Sequence, residues 1–132
     1  MKVNYTTKNG RLSFEFEADN QVGVWKQLAS LQEVFEEEKC QKCGGTELRF
    51  SVRKSTYEDD KGKVKDCEYH ELRCRKCGAK LAYGVLDDNS YNLFPKRKDL
   101  EGNWKGTKTD SQGNTKPTYG WVKWNPETNN EE

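Results

Sequence analysis

The sequence predicts an α+β fold: an N-terminal β-hairpin plus one helix packed on an antiparallel sheet, continued by a four-cysteine ribbon. Three observations carry this prediction. Residues 3–17 alternate with the period of two that strands show, around an Asn-Gly pair. Apolar residues between Val24 and Phe35 recur at three- and four-residue intervals, as on one face of a helix. Cys40-Gln41-Lys42-Cys43-Gly44 returns as Cys74-Arg75-Lys76-Cys77-Gly78, with a hairpin's length of chain between.

In order along the chain, Val3 to Tyr5 and Arg11 to Glu17 predict two strands joined at Lys8-Asn9-Gly10, since Asn and Gly both tolerate positive φ. Leu12, Phe14 and Phe16 share the apolar face of the second strand. Asp19 or Asn20 supplies a cap for a helix running to about Glu38. Its stripe of Val24, Trp25, Leu28, Leu31, Val34 and Phe35 is expected to pack on the Leu12-Phe14-Phe16 face. The run Glu36-Glu37-Glu38 falls where the helix dipole disfavours anions, so it reads as a helix end. After the first cysteine pair, a strand is predicted from Thr46 to about Tyr57, with Leu48, Phe50 and Val52 on one side. Arg49, Ser51 and Arg53 take the other. A charged turn over 58–66, a return strand from Cys67 to Arg73 and a third strand from Leu81 to Leu86 follow. Asp87 to Ser90 then turns the chain toward Tyr91-Asn92-Leu93-Phe94.

The expected organisation is a ββα unit over 1–39, a ribbon over 40–95 sharing the same core, and a polar tail or long loop over 96–132. That last stretch is rich in Gly, Asn, Thr and Lys but holds an aromatic cluster at 119–124: Tyr119, Trp121 and Trp124. At 132 residues, with 32% hydrophobic and 34% charged, the chain buries a thin core and needs a metal or a partner to stabilise it. No apolar run is long enough to cross a bilayer and none after Met1 resembles a signal peptide, so an intracellular location without membrane contact is expected. Thiols stay reduced there, and five cysteines in two close pairs plus one read as ligands rather than disulfides.

Cys40, Cys43, Cys74 and Cys77 have the spacing of a tetrahedral zinc site. Two residues between cysteines let both sulfurs reach one ion, and the following glycine accepts the turn that aims backbone N–H groups at sulfur. Four thiolates leave no open coordination position, so the expected cofactor is one structural zinc ion. An iron–sulfur cluster or a rubredoxin-like iron uses similar spacing and remains an alternative. Cys67 and His70, outside the knuckle spacing, read as ordinary strand residues.

Net charge is +1, which argues against a protein that simply coats nucleic acid. Charge nevertheless gathers around the cysteines: residues 41–100 carry 14 basic against 10 acidic side chains, while 1–40 carry 5 against 7. Arg49, Arg53, Arg73, Arg75 and Lys76 lie on the hairpin and second knuckle, and Lys96, Arg97 and Lys98 follow Pro95. Tyr69, Tyr83 and Phe94 interleave with them, together with Tyr57 and Tyr91. Cations beside rings suit single-stranded DNA, where phosphates need charge and bases need stacking surfaces. The alternative is that the rings form a small core and the cations its wet face.

Several stretches resemble small zinc-ribbon proteins encoded by phages and prophages: the helix Trp25-Lys26-Gln27-Leu28, Tyr69-His70-Glu71-Leu72-Arg73-Cys74, Cys77-Gly78-Ala79-Lys80-Leu81, and Leu93 to Lys98 with Gly120-Trp121. The likeness covers about residues 10–124, with the segment 106–118 departing from it. It implies a replication or recombination accessory, including single-strand DNA binders, in the cytoplasm of a bacterial host. A competing reading is a protein-interaction module of a mobile element, a replication adaptor or an inhibitor of a host defence. Tyr119, Trp121 and Trp124 would be its anchors, since Trp and Tyr dominate interface energetics. An enzyme is not expected. No nucleophile–base pair or phosphate loop is visible, and Asp59, Asp60, Asp87 and Asp88 sit in turns where acids are common.

Overall fold

The structure is a computed structural model that describes residues 1–125 and 130–131, and side chains through Lys123. The fold is α+β, and the chain divides into two compact units: Met1–Glu38 with Val85–Phe94, and Lys39–Gly84 with Pro95–Glu132.

In the first unit, β1 (Lys2–Thr6) and β2 (Ser13–Glu17) pair antiparallel with Val3 opposite Phe16 and Tyr5 opposite Phe14. Only Gly10 of the Asn-Gly pair takes a left-handed conformation (φ 74°). Asn9 instead uses its side chain, accepting the Thr7 hydroxyl at 2.8 Å and the Arg11 N–H at 3.0 Å. Asn20, in extended backbone, caps α1 (Gln21–Phe35) by accepting the Gly23 N–H at 2.9 Å. The helix meets the hairpin through Phe35 and Phe14, whose ring centroids are 4.8 Å apart, and Val34 is buried.

The helix departs from expectation at Trp25, which is 77% exposed. Val24, Leu28, Leu31 and Phe35 fall close to one line along the cylinder, and Val34 and Trp25 flank that line on opposite sides. The Val34 flank is the buried one. The helix also stops at Phe35 rather than near Glu38, leaving its three glutamates outside. Glu36 turns back to accept the Lys8 N–H on both carboxylate oxygens, at 3.0 and 3.2 Å, and so ties the helix end to the hairpin turn.

In the second unit, β3 (Leu48–Glu58) and β4 (Val64–Cys74) form an eleven-residue antiparallel ladder from Leu48 opposite Cys74 to Glu58 opposite Val64. Asp59 closes it, its carboxylate accepting the Lys61 and Lys63 N–H groups at 2.9 Å each. β5 (Ala79–Val85) pairs with β4, and β6 (Leu93–Pro95) lies where the chain passes between units. β7 (Thr107–Thr109) and β8 (Thr115–Pro117) make a small separate hairpin. β9 (Trp121–Asn125) pairs with β5, and β10 (Asn130–Glu131) with β9, in the order β10-β9-β5-β4-β3.

The segment expected as a tail or long loop therefore holds strands. Register sets Leu72, Leu81 and Trp121 side by side on one face, all buried, with Trp121 and Leu81 fully so. A Trp of this size contributes more apolar area than any other residue of the row, which is why the segment docks despite its polar composition. The side chain of Trp124, part of the expected aromatic cluster, lies outside the described residues.

Candidate metal centre

Each knuckle is built by the same local rule. Gly44 donates its N–H to the Cys40 carbonyl at 2.8 Å, and Gly78 donates to the Cys74 carbonyl at 3.0 Å. Both glycines sit in the left-handed region, at φ 76° and 79°, where a side chain would be strained. The knuckles are tied together by the Arg75 N–H on the Glu47 carbonyl at 3.0 Å. Gly45 lets them close: a Cβ there would stand 3.2 Å from Cys43 Sγ and 3.3 Å from the Lys76 side chain.

The four sulfurs lie within 4.8 Å of one another, with Cys40 to Cys77 at 3.6 Å and Cys43 to Cys74 at 3.5 Å. A disulfide would need ~2.05 Å, and the cysteines are free. A tetrahedron of sulfurs at about 2.3 Å from a common ion has edges of about 3.8 Å, near the spacing found. The second shell fits too, since thiolate needs donors: Lys42 N–H reaches Cys40 Sγ at 3.4 Å and Gly45 N–H reaches Cys43 Sγ at 3.3 Å. Cys40 and Cys74 are buried, Cys43 and Cys77 half-buried. The four cysteines are thus positioned to bind a metal ion.

Burial and local N–H groups set the thiols apart in acidity. Burial pushes Cys40 up to about 12, against the N–H groups of Cys43 and Lys42. Burial also acts upward on Cys43, but there the Gly45 N–H and the neighbouring thiols prevail and take it to about 7.

The residues proposed from sequence to contact nucleic acid meet different fates. Register places Arg49, Ser51, Arg53, Tyr57, Tyr69, Glu71 and Arg73 on one face of the β3–β4 ladder, with Leu48, Phe50 and Val52 on the other, as the alternation predicts. Arg49, Arg75, Lys76, Lys96 and Lys98 are exposed. Arg53 lies over the Tyr69 ring at 4.4 Å from its centroid. Arg53 and Arg73 are also engaged by Glu71, at 3.6 and 2.7 Å. Arg97 is half-buried and donates to the Tyr119 carbonyl at 2.9 Å. Tyr83 is buried on the Leu81 face, so it is a core residue and not a contact surface. Phe94 falls in the first unit.

Two features escape a reading of the sequence. Glu71 and Lys80 are a buried ion pair at 2.9 Å, completed by Arg73 on the other carboxylate oxygen. Burial alone would raise the Glu71 carboxyl, but Lys80 and Arg73 hold it below the usual carboxylate range. Trp104 is the second, an exposed ring edge-to-face with Tyr119 at 5.0 Å. Its only signal in the sequence is a tryptophan among polar residues and glycines, at Gly102-Asn103-Trp104-Lys105-Gly106.

Among the described residues no helix is long and apolar enough to cross a membrane. The chain matches no protein-family model, no curated protein and no solved structure.

Proposed function

We propose that the protein is a zinc-ribbon module that binds single-stranded DNA, an accessory of phage replication or recombination. The ion is zinc in this reading because four soft thiolates in a closed tetrahedron suit it, and it serves structure rather than chemistry. Metal analysis tests that choice: one zinc per chain and no visible absorption are expected, whereas a coloured iron site would overturn it. The observation that carries the DNA reading is the face of the hairpin on which Arg49, Arg53, Tyr57, Tyr69 and Arg73 align, ending in the exposed Arg75 and Lys76 of the second knuckle. Glu71 offsets part of that charge, so Arg49, Arg75, Lys76, Lys96 and Lys98 are the cations left to meet phosphates. The phage attribution rests on the sequence resemblance alone.

Fluorescence-anisotropy titration with a labelled single-stranded oligonucleotide at low and high salt tests the reading. Affinity is expected to fall steeply with salt, by a log–log slope of about −0.7 per phosphate neutralised. Arg49→Ala with Arg75→Ala and Lys76→Ala should flatten that slope. Absence of binding at low salt would overturn it in favour of the protein-interaction reading. That second reading has its own support in Phe50 and Val52, 57% and 58% exposed on the outermost strand of the described sheet.

A further inference from the structure

A tyrosine and a tryptophan stand half-exposed beside one another on the second unit, and the backbone around them is built to keep them there. Trp104 is 47% exposed and Tyr119 41%. Lys98 Nζ lies 4.7 Å from the centre of the Trp104 ring, and Lys98 and Trp104 are also joined by an isolated β-bridge. Tyr119 holds a left-handed backbone (φ 50°), uncommon for a residue with a side chain. Two neighbouring segments, at 97 and at 105–106, pin it in that state. Gly120 donates to the Lys105 carbonyl at 2.8 Å, Lys105 to the Arg97 carbonyl at 2.8 Å, and Thr118 to the Gly106 carbonyl at 3.0 Å. Arg97 adds its guanidinium on the Tyr119 carbonyl.

The anchoring reaches the core. The buried Thr118 hydroxyl donates to the Trp121 carbonyl at 2.6 Å, and a Cβ on Gly120 would stand 2.8 Å from Arg97 Cα and Leu81 Cδ1. Lys96 N–H is fixed on the Ala82 carbonyl of β5 at 2.8 Å. A strained residue held by so many contacts fixes the direction of its side chain, and here that direction is outward, beside a second ring that carries Lys98. Lys98 supplies positive charge at the ring; along the chain Lys96, Arg97 and Lys105 outnumber Asp99 and Glu101, and Asp99 turns its carboxylate onto the N–H groups of its own turn, Glu101 and Asn103.

Two rings held in solvent with an ammonium against one of them match one chemistry closely: an unpaired base with its phosphate. We infer that Trp104 and Tyr119 form a base-stacking platform for single-stranded DNA, with Lys98 as its phosphate-binding partner. The inference rests on the DNA reading above and deepens it by naming where a base is held. Lys98 over Trp104 is an exposed cation–π contact, weaker than a base stack. An incoming base therefore displaces the ammonium, which becomes available to the adjoining phosphate. Charge complementarity selects a nucleic acid over an apolar peptide, for which the flanking lysines would be a hindrance.

The test uses the full, metal-loaded chain and anisotropy titrations of three labelled strands of equal length: oligodeoxythymidylate, an all-abasic deoxyribose-phosphate strand, and oligouridylate. Trp104→Ala and Trp104→Leu are expected to weaken oligodeoxythymidylate binding roughly tenfold and leave binding of the abasic strand unchanged. Trp104→Phe should recover most of the loss, because it keeps a ring. Metal content and circular dichroism, equal in all variants, exclude misfolding as the cause. If the variants bind oligodeoxythymidylate as the parent does, the platform is overturned while the DNA reading stands. If the parent binds no strand, both fall. Tighter binding of oligouridylate than of oligodeoxythymidylate would overturn DNA as the occupant.

Discussion

The two units of this chain solve the problem of a thin core in different ways. The first unit relies on ordinary packing: a capped helix buries Val34 and lays Phe35 against a hairpin, and Glu36 latches the helix end to the turn. Tyr5, Phe14, Phe16 and Phe35 are half-buried, and Trp25 and Tyr91 are left in solvent. The second unit buries Leu72, Leu81 and Trp121 in one row and adds two devices that the first lacks among the described residues. One is the cluster of four cysteines, the other the buried Glu71–Lys80–Arg73 network. Such devices fix strand register where apolar area is scarce, at the cost of desolvating charge. The difference teaches that the polar composition is unevenly spent: it leaves surface in one unit and becomes internal structure in the other.

The comparison predicts its largest effect on metal removal. Binding free energies of structural zinc are about 10–16 kcal/mol in small fingers, more than a domain of this size has to spare. Chelation, or Cys74→Ser, should abolish amide-exchange protection along β4 and β5. Protection in α1 should change far less. Equal loss in both places would break the distinction between the units.

Glu71→Ala comes next, with an expected cost of about 3–5 kcal/mol by denaturant titration, because it strands the buried Lys80 ammonium. The same carboxylate gives a pH signature. Its acidity is stronger folded than unfolded, so its contribution is present above the unfolded pKa, near 4.5, and is lost as pH falls through the lower folded value. The acid limb of stability should flatten in Glu71→Gln.

A pair of tryptophans sharpens the contrast. Trp121→Ala should cost about 3–5 kcal/mol, since the ring is wholly enclosed, and Trp25→Ala within about 0.5 kcal/mol of nothing. The smallest directional effect belongs to the helix cap: Asn20→Ala should cost about 1 kcal/mol, read as reduced helicity and a lower Tm.

What was legible in the sequence follows the range of the interactions. The knuckles could be read because Cys-x-x-Cys-Gly encodes a local turn and a ligand pair in five residues. The Asn20 cap and the alternation of β3 are equally local. Trp25 falls outside the buried face because a helical stripe has two flanks and the sequence does not say which one is covered. Tyr83 reads as a stacking ring in the sequence because its burial follows from the place of β5 inside the sheet, which local composition does not show. The late strands were hidden for the same reason: β7 and β8 are three polar residues each, with no apolar alternation to mark them. Glu71 and Lys80 read as solvated charges, since only the β4–β5 register brings them together inside.

On the proposed DNA reading, closure of the ribbon by its metal presents the cationic and aromatic surface to the strand. The most direct test of that reading is the low-salt affinity for a labelled single strand, measured before and after chelation and again after zinc is restored. The account predicts binding that disappears with the metal and returns with it. Binding that survives chelation undiminished would contradict it.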